Sequence, residues 1–146
     1  MTTSMNSSAP RTALWRRPGP VLALVAAAFL LINVVRAVAD PVAFADYLGL
    51  PLADPADTGF VLVYASRTAV LAGVTLLLVM LGRLRTLAWV SALAVVLPVT
   101  DAVLTSQAGA SPGTVTRHAV IAVYLLVTAA VLARRESDGD QAPHRG

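Results

Sequence analysis

The chain has 146 residues and is 57% hydrophobic, and only 13% of its residues are charged, about half the proportion usual in soluble domains. The mean hydropathy of +0.73 therefore excludes an ordinary soluble globular domain. The sequence has no cysteine, which excludes disulfides, thiolate metal sites and cysteine nucleophiles, and its two histidines are too few for a histidine metal cage.

Four apolar runs predict four transmembrane helices, at residues 21–39, 60–81, 87–104 and 118–133. Their lengths of 19, 22, 18 and 16 residues lie around the ~20 residues that a helix needs to cross about 30 Å of hydrocarbon. A soluble core would hardly contain four helices this apolar in so small a chain. The predicted fold class is therefore all-α, a four-transmembrane-helix bundle that occupies residues 18–133.

The first run has a second interpretation, a cleaved signal peptide. An arginine-bearing segment precedes the run, and Ala37-Val38-Ala39 before Asp40 satisfies the small-residue rule for signal cleavage. The run is long for a signal peptide, and Arg36 lies just before the cleavage position. Both interpretations place Asp40 on the outer side of the membrane, so topology does not decide between them.

The loop at residues 40–59 differs from a plain linker. It carries Phe44, Tyr47, Leu48 and Leu50 among three prolines. This pattern predicts a short interfacial helix whose apolar face lies on the bilayer. A solvated linker is the alternative.

The arginines outside the predicted helices indicate the orientation of the bundle. If the chain crosses four times, eight of them fall on the side of the termini, and only Arg117 falls on the other side. The positive-inside rule then predicts a multi-pass cell-membrane protein with both termini in the cytoplasm. Residues 1–17 and 134–146 are predicted to be flexible tails, the second of them disordered. The eight arginines are Arg11, Arg16, Arg17, Arg83, Arg85, Arg134, Arg135 and Arg145.

The ionisable residues within the predicted helices all lie in the outer half of the bundle. Arg36, Asp101 and His118 are close to the outer ends of their helices, and Arg67 lies roughly 10 Å deep. A charge at mid-bilayer costs several kcal/mol, so it finds a partner or water. We expect Asp101 to pair with Arg67, with His118 or Arg36 as a second contact. Taken alone, Arg36 is explained by snorkelling to headgroups and His118 by an interfacial position.

The Arg67–Asp101 pair has two interpretations, a salt bridge that locks the bundle or the floor of an outward-facing site. In the second, Arg67, Asp101, His118, Tyr64 and Arg36 bind a small amphipathic ligand or a lipid headgroup. A proline, Pro98, one turn before Asp101, is expected to disturb the third helix near that site.

A different hypothesis is a small membrane-embedded enzyme, an isomerase or cyclase that acts on a lipophilic isoprenoid- or polyketide-like substrate. Asp101 or His118 would then act as general acid or base, and Arg67 would orient the carboxylate or stabilise negative charge. Such chemistry needs an apolar cavity of substrate size above the polar residues.

A third hypothesis is a subunit of a larger membrane complex. Ala65, Ala69 and Gly73 form a small-residue stripe of the kind that lets helices pack closely, within the protein or against a partner. No motif indicates a cofactor, a metal ion or nucleic acid as a partner. The bilayer is the predicted partner, and the sequence does not determine the oligomeric state.

Several short motifs carry a resemblance to a known group of proteins. They are DPVAFADYLGLP at residues 40–51, YASR at residues 64–67, Asp101 and His118. Over roughly residues 20–133 the sequence resembles the small four-helix membrane proteins grouped as a domain of unknown function, and more distantly the DoxX-type four-helix proteins. The resemblance implies that the first helix stays uncleaved, and it supplies no activity. Those proteins often have an acidic residue after the helix-two arginine, where this chain has Thr68.

Overall fold

The computed structural model describes the backbone of residues 18–140 and the side chains of residues 18–134. It contains six helices: α1 Pro18–Ala39, α2 Pro41–Leu48, α3 Gly59–Met80, α4 Leu84–Ala94, α5 Val96–Gln107 and α6 Pro112–Asp140. Four stretches are long and apolar enough to cross a membrane: Pro18–Ala39, Gly59–Met80, Leu84–Gln107 and Pro112–Arg134. The predicted all-α fold with four transmembrane helices is confirmed, whereas the orientation of the termini stays a prediction.

The fourth spanning helix begins six residues before its predicted start at His118. Ser111 caps it, since the Ser111 hydroxyl accepts a hydrogen bond from the Thr114 amide at 3.3 Å, and Pro112 occupies the first turn. The helix continues to Asp140, so residues 134–140, which were predicted to be disordered, are helical. Alanine, arginine and glutamate at residues 133–136 favour this continuation. The predicted tail of residues 1–17 and the last six residues lie outside the described part of the chain.

The third spanning helix is interrupted at Val95, between α4 and α5. Pro98 has no backbone N–H, so it cannot donate to the carbonyl of Ala94, and the regular hydrogen-bond ladder stops there. The Val95 amide instead bonds to the Ala92 carbonyl at 3.3 Å. The disturbance expected from Pro98 is therefore present, three residues before the proline.

The four spanning helices pack α1 against α3 and both α4 and α5 against α6. Because they alternate in direction, α2 and the α5–α6 turn meet at one end of the bundle, which we call the α2 end. One apolar core cluster lies there, and it consists of Ala37, Phe44, Ala45, Leu48, Val61 and Ala65. A second cluster lies near the opposite end, and it consists of Ala23, Val79, Leu87, Ala88 and Leu132.

The short helix expected in the 40–59 loop is present as α2, but its apolar face packs on the bundle. Phe44, Ala45 and Leu48 are all buried in the protein. Asp40 begins the helix, since its carboxylate accepts a hydrogen bond from the Ala43 amide at 3.0 Å. Gly49 ends it with φ of 83°. Asp40 and Gly49 thus define the two ends of α2, which covers one end of the bundle and is called the cap helix below.

Gly49 also permits a close approach between α2 and the α5–α6 turn. A Cβ atom at this position would lie 2.7 Å from Cγ2 of Thr114 and 3.0 Å from Cβ of Ala110. The positive φ favours glycine as well, because other residues are strained in the left-handed region. The position of α2 relative to α6 therefore depends on the absence of a side chain at residue 49.

Most buried polar side chains in the bundle are satisfied within their own helices. The hydroxyls of Thr68, Thr75, Thr105 and Thr128 each donate to the carbonyl four residues earlier, at 2.8 or 2.9 Å. The Asn33 amide does the same to Phe29 at 2.9 Å. Such bonds remove most of the cost of burying a polar group without linking one helix to another.

Candidate ligand-binding site

A small cavity lies at the α2 end of the bundle, and residues of α2, α3, α5 and α6 line it. Its volume is about 70 Å³, enough for a few water molecules or a small chemical group. The lining residues are Leu48, Leu50, Phe60, Tyr64, Asp101, Thr105 and His118. Three of these residues are apolar, and the other four bring polar groups: the Tyr64 and Thr105 hydroxyls, the Asp101 carboxylate and the His118 imidazole.

His118 is buried, and its environment differs from the interfacial position that the sequence suggested. Because α6 begins at Pro112, His118 lies about 9 Å into the helix, and only 4% of the residue is exposed. Its Nε2 atom is the one buried side-chain nitrogen or oxygen without a hydrogen-bond partner among the side chains of residues 18–134. The unsatisfied nitrogen costs roughly 1–3 kcal/mol, so another interaction must favour an imidazole here.

Asp101 supplies that interaction. It lies six residues before the end of α5 at Gln107, also about 9 Å from the helix end. Its Oδ2 atom is 4.0 Å from Nδ1 of His118, a separation that gives an ion pair when the imidazole is protonated and is too long for a hydrogen bond. The Asp101 side chain is 34% exposed, and no described residue donates a hydrogen bond to its carboxylate.

Tyr64 forms the aromatic wall of the cavity on α3. Its ring lies 5.6 Å from that of Phe44, at an interplanar angle of 50°. Phe44 in turn packs 5.8 Å from Tyr47 on the same helix. These ring contacts connect the cavity to α2, so the cap helix and the cavity wall form one packed unit.

The pair predicted between Arg67 and Asp101 is not formed in the described structure. The Arg67 side chain is exposed on the surface of the bundle. Thr68, the next residue, lies on the buried face of α3, and consecutive helical residues point about 100° apart. Depth along the helix suggested the pair, but the Arg67 side chain lies on the exposed face of α3. His118, expected as a second contact, is the group beside Asp101.

Arg36, the other expected second contact, lies instead against Tyr47. Its guanidinium carbon is 4.1 Å from the centroid of the Tyr47 ring, and that of Arg117 is 3.8 Å from the same centroid. Arg117 also donates a hydrogen bond from Nη2 to the backbone carbonyl of Tyr47. Each cation–π contact contributes roughly 0.5–1 kcal/mol at an exposed site, so the two arginines tie α1 and α6 to the cap helix.

Tyr47 and Arg117 belong to this arrangement, although neither was predicted as a site residue. Arg117 appeared only as the one arginine on the side away from the termini, and Tyr47 only as part of an apolar loop pattern. The available signal was the Ser111-Pro112 helix start, which places Arg117 inside α6 beside His118. Of the predicted ligand-binding residues, the structure brings Asp101, His118 and Tyr64 together, while Arg36 and Arg67 lie elsewhere.

The small-residue stripe on α3 turns from the core toward the surface. Ala65 is 4% exposed and belongs to the core cluster at the α2 end, whereas Gly73 is exposed and would meet no atom within 4 Å if it carried a Cβ. Ala69 lies between these extremes. Ala65 therefore packs within the protein, and a contact between a partner and the rest of the stripe stays a prediction.

Comparison with known proteins supports the family resemblance and adds no activity. Residues 26–132 match the family described as a domain of unknown function (DUF4267). No curated protein and no solved structure matches the chain. The resemblance to an unknown-function family is confirmed, and no relation to the DoxX-type proteins is shown.

Proposed function

The chain belongs to the DUF4267 family, and we propose that it is a cell-membrane protein whose cavity at the α2 end binds the hydroxyl head of a small amphiphile. The Asp101 carboxylate, one third exposed and without a hydrogen-bond donor among the described residues, is the observation that supports this proposal. A carboxylate inside a membrane-spanning segment is unfavourable unless donors reach it. A ligand hydroxyl supplies such a donor from the membrane side.

The charges around the cavity favour a neutral ligand head. Asp101 already has a cationic partner in His118 when that imidazole is protonated, so a cationic head would be repelled by the imidazolium. An anionic head would be repelled by Asp101 itself. A hydroxyl avoids both repulsions and still donates to the carboxylate.

The size of the cavity limits how much of the ligand it encloses. Binding sites for whole drug-sized molecules measure about 300–1,000 Å³, whereas this cavity measures about 70 Å³. The head and its first carbon atoms fit inside, and the alkyl tail lies along the exposed ring of Phe60 on the lipid-facing surface. The cavity does not enclose an isoprenoid- or polyketide-like substrate, so the enzyme hypothesis, with Asp101, His118 or Arg67 in catalysis, gains no support.

We also propose that both termini lie in the cytoplasm, which places the cavity on the outer side of the membrane. The support is the arginine distribution: Arg83, Arg85 and Arg134 lie at the end of the bundle opposite α2. Amphiphiles in the outer leaflet would then reach Asp101 without crossing the bilayer.

The proposal is tested with dodecanol that carries a photoreactive diazirine in its chain, and with the methyl ether of the same compound. The full chain is reconstituted in phosphatidylcholine vesicles, irradiated, and digested for mass spectrometry. We expect the alcohol to label the segments around Phe60 and Asp101 at least fivefold more than the ether, because the ether has no proton to donate.

The Asp101→Asn variant is expected to lose about fivefold in labelling, since a neutral acceptor forms a hydrogen bond weaker by about 1 kcal/mol. Asp57→Asn is the matched control, because Asp57 is an exposed aspartate that does not line the cavity. Equal labelling by alcohol and ether, or labelling that Asp101→Asn leaves unchanged, refutes the proposed function.

A further inference from the structure

Two guanidinium groups share one tyrosine ring at the α2 end of the bundle. Those of Arg36 and Arg117 lie 4.1 and 3.8 Å from the centroid of Tyr47. The two guanidinium carbons are therefore no farther apart than the sum of these distances, about 8 Å. They come from α1 and α6, helices that the cap helix α2 brings together.

No carboxylate neutralises these two charges within the described side chains. Asp40, the acidic residue nearest to Arg36 along the chain, caps α2 through its bond to the Ala43 amide. Asp46 on α2 is exposed and forms no ion pair with either arginine. Asp101 pairs with His118. Two like charges are thus held close together by Tyr47 without a counter-ion.

The arginines also keep most of their hydrogen-bonding capacity. A guanidinium has five N–H donors, and Arg117 uses one nitrogen, Nη2, to reach the carbonyl of Tyr47. Arg36 donates no hydrogen bond to any described residue. The planar guanidinium matches the geometry of a phosphate, to which it forms two parallel hydrogen bonds. Two such groups within about 8 Å of each other are close enough to donate to one phosphate that lies beside the Tyr47 ring.

The position of the pair agrees with the level at which phospholipid headgroups lie. Arg36 is in the last turn of α1, and Arg117 is five residues into α6, so both lie near the same end of the spanning helices. Tyrosine is enriched at this level, where its ring contacts hydrocarbon and its hydroxyl contacts water.

We propose that Arg36 and Arg117, held on the ring of Tyr47, bind one phosphate group, carried by a membrane lipid or free in solution. This site is separate from the Asp101 cavity, whose lining includes none of these three residues, and it does not depend on the proposed function. Tyr47 positions the two guanidinium groups, and Arg117 also fixes its own position through the backbone of α2.

The test uses the full chain, purified in dodecylmaltoside micelles and stripped of lipid. Native mass spectrometry and thermal stability are measured with dioleoylphosphatidylglycerol, with dioleoylglycerol as the phosphate-free match, and with inorganic phosphate. We expect the phospholipid to bind at least tenfold more tightly than dioleoylglycerol. Binding should fall at least fivefold in Arg36→Gln and in Arg117→Lys, because a lysine keeps the charge and loses the planar pair of donors.

Arg67→Gln is the matched control, because it removes an exposed arginine outside the site; its binding should stay within twofold of the native protein. Within the described part of the chain, Arg36 contacts only the Tyr47 ring, whereas Arg117 also bonds to the backbone of α2. Arg36→Gln therefore still tests the site if the Arg117 variant unfolds. Binding of inorganic phosphate with the same dependence on Arg36 supports the site and assigns it to a soluble anion. Binding of phosphatidylglycerol alone supports it and assigns it to lipid. Equal binding of the two lipids without phosphate binding, or no effect of Arg36→Gln, overturns the proposal.

Discussion

Removing the charges of Asp101 and His118, singly and together, tests whether Asp101 interacts with His118, as observed, and not with Arg67, as helix depth suggested. The single changes are Asp101→Asn and His118→Gln. At the observed 4.0 Å between Oδ2 and Nδ1, two unit charges attract by about 4 kcal/mol in surroundings of dielectric constant near 20 and by about 1 kcal/mol in water. Because the Asp101 side chain is 34% exposed while His118 is buried, the expected coupling lies between these limits, at about 1–3 kcal/mol.

The coupling energy is measured from the unfolding free energies of the native protein, the two single variants and the double variant, in dodecylmaltoside titrated with SDS. The same cycle with Asp101→Asn and Arg67→Gln is the control, and those two changes should add within about 0.5 kcal/mol. A coupling to Arg67 that equals or exceeds the coupling to His118 would refute the placement of both side chains.

Two further substitutions test the cap helix and the exposed arginine. Gly49→Ala should destabilise the protein by at least about 1 kcal/mol more than Gly82→Ala, as measured by SDS titration. Both glycines have positive φ, but only a Cβ at residue 49 meets Thr114, at 2.7 Å. Equal losses of stability would contradict the close approach. Arg67→Leu removes an exposed charge from a spanning helix. It should leave the thermal stability unchanged or raised, and it should favour membrane insertion of α3 by about 2 kcal/mol. A large loss of stability would show that Arg67 has a partner.

The one-dimensional pattern of the sequence was sufficient to predict the number of spanning helices. Apolar runs of spanning length reflect the thickness of the bilayer, which acts on every helix separately and requires no knowledge of its neighbours. The same holds for Pro98, whose missing N–H disturbs its own helix wherever that helix packs. The start of α6 is also encoded in the sequence, by Ser111 and Pro112, but this cap precedes the predicted apolar run by six residues, so hydropathy alone does not locate it.

Which polar residues meet was decided by the tertiary structure alone. Arg67 and Asp101 lie at similar depth, and depth can be counted from the sequence, but the direction in which a side chain points depends on which face of its helix is buried. That face is set by the packing of α1 against α3 and of α4 and α5 against α6. The same packing places Tyr47 between residues of α1 and α6, a contact across 70 positions of the chain in the case of Arg117. The sequence alone thus determined that the chain has four helices able to span a membrane, and their approximate lengths, because both follow from local hydropathy. The cavity and the arginine pair required the fold, because each is built from side chains of helices distant in the chain.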